Sequence, residues 1–215
     1  MITHRPNEPH AFLRPLRLLA LLTLLGAPVS TWADTHRVSM VTEAGTIELA
    51  LDADVAPVTV ANFLSYIDAG AFEGGSFYRT VSPENDNGSP PISVIQGGAR
   101  EDAPRMAPIA HESTEDTGIL HRDGVISMGR YEVGSADAEF FICIGDQPGL
   151  DFGAVRNPDK QGFAAFGRVV EGMAVVRDIH GRATDSAADD PYVANQLLRE
   201  PVLIESVTVT PIIKQ

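Results

Sequence analysis

The chain has 215 residues, with 29 Asp or Glu against 16 Lys or Arg and a formal net charge of −13 at pH 7. Nucleic acid and anionic lipid would be repelled by such a surface, so neither is expected as a partner. Cys143 is the single cysteine and the six histidines are scattered without metal-ligand spacing, so a fold resting on its apolar core, with no disulfide, no metal and no cofactor, is expected.

At the start of the chain, Arg5, Arg14 and Arg17 precede an apolar run over 18–29, which ends in Ser30-Thr31-Trp32-Ala33. A basic start, a short apolar middle and a small-residue end are the layout of a secretory signal peptide, predicted to be cleaved after residue 33. The run is shorter than the roughly 20 residues that cross a bilayer and contains Gly26 and Pro28, so no stable membrane insertion is expected after cleavage. Residues 34–215 are expected to form one domain and to act as a monomer.

Beyond residue 34 the periodicity is mostly that of strands. Two β-rich runs, 36–42 and 45–51, are separated by Glu43-Ala44, the spacing of a hairpin. In the second run Ile47, Leu49 and Leu51 share one face and Glu48 takes the other. The period changes over 57–69, where Val60, Phe63, Leu64 and Ile67 recur at helical spacing, Pro57 suits a first turn and Gly70 a stop. Strand-like pieces resume at 76–81, 94–96, 124–128, 139–144 and 163–170. A second helix is predicted over 172–179, with Met173, Val176 and Ile179 on one face, and a last strand over 202–209. Seven or eight strands with two short helices and no βαβ alternation predict a mainly β domain, either an antiparallel barrel or a sandwich.

Few segments point to bond-breaking chemistry. No Gly-x-Ser-x-Gly elbow is present, and the glycine-rich stretch 70–75 lacks the Lys-Ser/Thr of a phosphate loop. The pair Asp189-Asp190 reads as part of a solvated loop. Cys143, inside Phe140-Phe141-Ile142-Cys143-Ile144, is expected to pack as a small hydrophobe. In that same run Phe140 and Phe141 must point to opposite faces of the strand.

Three segments carry more. Ser76–Val81 (SFYRTV), Val94–Gly98 (VIQGG) and 135–145 (SADAEFFICIG) resemble, in this order, the core signature of the cyclophilin family of peptidyl-prolyl cis-trans isomerases. Further landmarks are Gly45-Thr46-Ile47, Ala56-Pro57-Val58-Thr59-Val60-Ala61-Asn62-Phe63, Gly124-Val125-Ile126-Ser127-Met128 and Phe166-Gly167-Arg168-Val169, so the resemblance runs from about Val38 to the end. It implies a closed eight-stranded antiparallel β-barrel capped by two α-helices. Together with the expected signal peptide, Gly162-Phe163-Ala164-Ala165-Phe166-Gly167 is similar to the exported cyclophilins of Gram-negative bacteria. That likeness implies a periplasmic isomerase acting on Pro-containing unfolded or extended segments of other exported proteins.

Such chemistry has to twist a partial double bond whose barrier is about 18–20 kcal/mol. Groups that bind the twisted amide better than either planar form accelerate exchange. By the resemblance, Arg79 is the catalytic arginine acting on the prolyl carbonyl and imide nitrogen. Gln96 orients peptide and arginine, Phe141 is the aromatic floor of the proline pocket, and Leu150 and Val94 are its apolar walls. Arg130 holds a position whose backbone groups bond the peptide, and Phe163 replaces a histidine common in the family.

The chain also departs from the family pattern. Gly149 stands where many members carry tryptophan, which predicts weak binding of cyclosporin-type inhibitors. Glu139 replaces a usual glutamine, Ser93 replaces a pocket phenylalanine, and 82–91 (SPENDNGSPP) lengthens the connection between Arg79 and Gln96. These departures support an alternative reading, a cyclophilin-fold binding protein or holdase for Pro-containing segments with little turnover.

Overall fold

The computed structural model describes residues 35–185, 188 and 190–210, besides Met1; the expected signal segment, and Asp189, lie outside the described residues. The strands are β1 (Thr35–Thr42), β2 (Gly45–Asp52), β3 (Ser76–Val81), β4 (Val94–Gly98), β5 (Val125–Met128), β6 (Phe140–Cys143), β7 (Ala165–Glu171), β8 (Thr184–Asp185) and β9 (Leu197–Thr210). They pair in the order β1-β2-β7-β5-β6-β4-β3-β9, all antiparallel, and β9 pairs back onto β1. Eight strands therefore close into a barrel, while β8 pairs only with β9. Closure satisfies the backbone groups that an open sheet would leave at its edges. The helices are α1 (Pro57–Asp68), a four-residue α2 (Thr114–Thr117) and α3 (Met173–His180).

Local sequence accounts for most of this. The turn at Glu43-Ala44 sets the β1–β2 hairpin in register from Thr42 opposite Gly45 to Thr35 opposite Asp52. Pro57 opens α1, whose fully buried face is Val60, Phe63 and Tyr66, with Leu64 and Ile67 half-buried beside it. Tyr66 turns inward because its hydroxyl accepts the Met106 N–H at 2.8 Å. The α1 N-terminus has no cap from Ala56; the Glu112 carboxylate instead accepts the Val58 and Thr59 N–H groups at 3.1 and 2.8 Å. The barrel interior is filled around Phe140, whose ring meets those of Phe63, Phe72 and Phe77 edge-on at 5.5 to 5.6 Å. Val176 and Ile179 of α3 enter the same core.

Some boundaries differ from the sequence reading. Gly97 and Gly98 extend β4, because they pair with Phe77 and Ser76 of β3. The strand expected from 163 begins at Ala165, leaving Phe163 in the preceding loop. The last strand starts five residues earlier than expected, at Leu197, since it pairs first with β3 and β8 and then with β1. Helix α2 was not anticipated, although Ser113 and Asp116 cap each other reciprocally at its start, the pairing that Ser-x-x-acid encodes.

Candidate active site

Antiparallel register places the chemistry-bearing residues in one row. Arg79 of β3 lies opposite Gln96 of β4, Gln96 opposite Phe141 of β6, and Phe141 opposite Ser127 of β5. Two residues further along, Val81, Val94 and Cys143 form a second row. Alternation puts both rows on the same face of the sheet, away from the interior that Ile95 and Phe140 occupy. Val81, Ile92, Val94, Phe141, Cys143 and Leu150 make a second apolar cluster, separate from the barrel core, with Phe163 against it. Burial pushes the Cys143 thiol up from its ordinary value, as expected of a packed, unreactive thiol.

A β-bulge decides which side chains reach this face. The register of β3 shifts between Phe77 and Arg79 against both neighbouring strands, leaving Tyr78 without an opposite residue. In an unbroken strand Tyr78 and Arg79 would face opposite ways; the extra residue lets both reach the outer wall while Phe77 stays in the core. The Gln96 amide then lies between them. Its Oε1 accepts from Arg79 Nη1 at 2.8 Å, and its Nε2 donates to the Tyr78 hydroxyl at 2.6 Å. Tyr78 donates onward to Glu139 at 2.8 Å, and Glu139 is paired with Arg105 at 3.1 Å. Burial, then the Glu139 charge, raises the Tyr78 phenol from its ordinary value, which keeps it a hydrogen-bond donor. A Cβ on Gly98 would meet the Glu139 carboxylate, so a side chain there would displace that carboxylate from its place beside Tyr78 and Arg105.

Arg79 is held on its other side by Gln196, whose Oε1 accepts from Nε at 2.9 Å and from Nη2 at 2.6 Å. The Tyr192 ring stacks over the guanidinium, 5.3 Å from Cζ to the centroid. Among the described residues no carboxylate pairs with Arg79, whereas Arg130 and Arg156 each have one and Arg105 has two. Burial lowers its pKa, opposed by Tyr192 and Tyr78; an arginine starting so high remains a cation.

These groups line a cleft of about 790 Å³. Arg79 and Gln96 form one side; Phe141, Val94, Ile92 and Leu150 form an apolar recess; Arg130, Phe163 and Tyr192 stand around it. Phe141 is 6% exposed and meets Phe163 edge-on at 5.3 Å. Behind it His121 stacks at 5.9 Å, with Nδ1 at 2.8 Å from Asp151 and Nε2 at 3.0 Å from the Ser127 hydroxyl. His121 and Ser127 are buried, so this acid, imidazole and hydroxyl line supports the floor and offers no accessible nucleophile. The Arg130 side chain is 1% exposed, paired with Asp159 at 2.9 Å, bonded to the Gly162 carbonyl at 2.8 Å and stacked over Phe163 at the border of the cleft. Among the described residues no three His, Cys, Asp or Glu side chains are arranged to hold a metal ion.

The segment 82–91 is ordered around one buried ion pair. Asp86 and Arg156 bond through both oxygens at 2.8 and 2.9 Å, with side chains 1% and 3% exposed. Asp86 also accepts the Gly88 and Ile92 N–H groups, and Asn87 bonds the Tyr192 and Ala194 carbonyls. Pro90 lies over Gly149, where a Cβ would come within 2.8 Å of its Cγ. The inserted segment thus covers Gly149, the position at which the resemblance leads to the expectation of a tryptophan. Ser93 turns to His180, 3.1 Å away, and Ile92 supplies apolar wall instead.

Of the residues singled out from sequence, Arg79, Gln96, Val94, Phe141, Leu150 and Phe163 come together in the cleft, and Arg130 borders it. Ile92, His121, Arg156, Tyr192 and Gln196 escaped that reading, because no motif marks them.

A model of the cyclophilin type peptidyl-prolyl cis-trans isomerases matches residues 37–209. Peptidyl-prolyl cis-trans isomerase A of Dickeya dadantii is 34% identical over 192 residues, covering 87% of this chain and 91% of its own. Peptidyl-prolyl cis-trans isomerase B of Escherichia coli is 33% identical over 174 residues, covering 79% and 96%. A crystal structure of a cyclophilin type isomerase of Cryptosporidium parvum shares the fold with a TM-score of 0.62 at 16% identity, over 82% of this chain and 98% of that one. A family match across the whole barrel, with relatives of similar length, establishes that this chain belongs to the cyclophilin-type peptidyl-prolyl cis-trans isomerases.

Proposed function

We propose that Arg79 is the catalytic residue of this isomerase and that the apolar recess beside it seats the substrate proline. The observation that carries this reading is a guanidinium fixed by two amide oxygens, with no carboxylate among the described residues paired with it, at the edge of a pocket floored by Phe141. Twisting the X-Pro bond ends conjugation and returns the lone pair to the imide nitrogen. A fixed cation in a partly dry site favours that localised pair over the conjugated amide, and each ~1.4 kcal/mol of such preference gives about tenfold in rate. Phe141, Val94, Ile92, Leu150 and Phe163 offer apolar surface to the ring, so the proline is held while the preceding residue turns.

The natural substrates in this reading are extended Pro-containing segments of exported proteins, and the location is the periplasm. Support comes from the basic, apolar and small-residue layout of residues 1–33. A binding role with little turnover is favoured by one feature, the Tyr192 ring over Arg79. Exchange in a short X-Pro peptide, followed by NMR, separates the two. Arg79→Ala should lower exchange catalysis about 10²-fold or more while peptide affinity stays near the parent's. Unchanged catalysis in a folded Arg79→Ala variant would remove Arg79 from the mechanism.

A further inference from the structure

We infer that Gln196 is a positioning residue for Arg79, and that it makes the inserted segment 82–91 part of the catalytic apparatus. The inference rests on the reading of Arg79 as the catalytic group.

Gln196 is completely buried and directly precedes β9, whose first residue, Leu197, lines the cleft. Its Oε1 takes two N–H groups of Arg79, and its Nε2 donates to the Asn85 carbonyl at 2.7 Å. Its backbone is pinned beside Arg79, since the Thr80 N–H donates to the Gln196 carbonyl at 2.9 Å. Asn85 is fixed in turn, with its Nδ2 on the Thr80 and Asn195 carbonyls and its Oδ1 accepting the Ser82 N–H. The amide therefore spans from the insertion to the guanidinium with little freedom.

Gln96 grips Arg79 only at Nη1, which leaves the guanidinium plane free to swing about that bond. Gln196 takes Nε and Nη2, so the two amides together fix the plane. Guanidinium carries five N–H groups, and this arrangement uses three, leaving one on Nη1 and one on Nη2 for substrate. A neutral amide also leaves the positive charge undiminished, where a carboxylate at the same place would pair with it.

The test compares Gln196→Met, Gln196→Glu and Arg79→Ala in X-Pro exchange, together with the ¹⁵N–¹H signal of Arg79 Nε. Met is similar in length but accepts no comparable bond. It should lower kcat about tenfold or more with KM within about twofold, and move the Nε–H signal out of its hydrogen-bonded position. Glu keeps both acceptor bonds and should leave that signal in place. A folded Gln196→Met variant with parental kcat, or with the Nε–H signal unmoved, would overturn the inference. Should Gln196→Met fail to fold, the Glu variant decides: retention of the Nε–H position supports positioning, and its loss refutes it. Parental activity in Arg79→Ala would sink the underlying reading of Arg79, independently of where the Nε–H signal lies.

Discussion

Replacing Arg156 by Met should destabilise the protein by an amount that depends on pH. In the parent, Asp86 and Arg156 are a bidentate pair, both almost fully buried. In Arg156→Met the Asp86 carboxylate keeps only the Gly88 and Ile92 N–H bonds. Its ready escape is to take up a proton, at about 1.36 kcal/mol for each pH unit above the ordinary aspartate value near 3.9, or about 4 kcal/mol at pH 7 and about 1.5 kcal/mol at pH 5. The remaining N–H bonds favour the charged form, so losses of about 3 kcal/mol at pH 7 and about 1 kcal/mol at pH 5 are expected, within reach of what broken buried pairs usually cost. Urea unfolding of parent and variant at both pH values measures them. A loss equal at the two pH values, or below about 1 kcal/mol at pH 7, would show that segment 82–91 opens and hydrates Asp86, and the argument from a buried charge would fail.

The parent should behave in the opposite sense in acid. Burial pushes the Asp86 and Asp151 carboxyls up, but hydrogen bonds from Arg156 and from His121 outweigh it and hold both below the usual carboxylate range. Their stabilisation is complete above the unfolded value near pH ~4 and is lost as pH falls through the folded values, so Tm by circular dichroism should drop below about pH 4, less steeply in Asp86→Asn. The neighbours Phe140 and Phe141 should separate stability from binding. Phe140→Ala, which removes the ring that three others meet edge-on, should cost about 3–5 kcal/mol in denaturant titration, whereas Phe141→Ala should chiefly raise KM in the peptide exchange assay. Gly149→Ala should push Pro90 off its seat and destabilise by about 1–2 kcal/mol, an effect absent if the segment yields freely.

Much of the fold was legible along the chain because its signals are local. Alternation in 45–51, helical spacing after Pro57 and the opposite faces of Phe140 and Phe141 each follow from backbone geometry over a few residues, and each is seen in the structure. The motif residues Arg79, Gln96 and Phe141 could be named because each sits in a contiguous, recognisable segment. What brings them into one row is the register of three strands, which closure of the barrel decides. Nothing in Ser-Phe-Tyr-Arg-Thr-Val marks Tyr78 as the bulged residue; pairing with β4 imposes that. Gln196 lies 117 residues from Arg79, and Arg156 lies 70 from Asp86. By itself the sequence determined which residues face inward, since periodicity is a property of neighbours. Only the tertiary structure decided which distant side chains grip Arg79 and shape its cleft, because those partners meet through packing between strands and loops that no local pattern encodes.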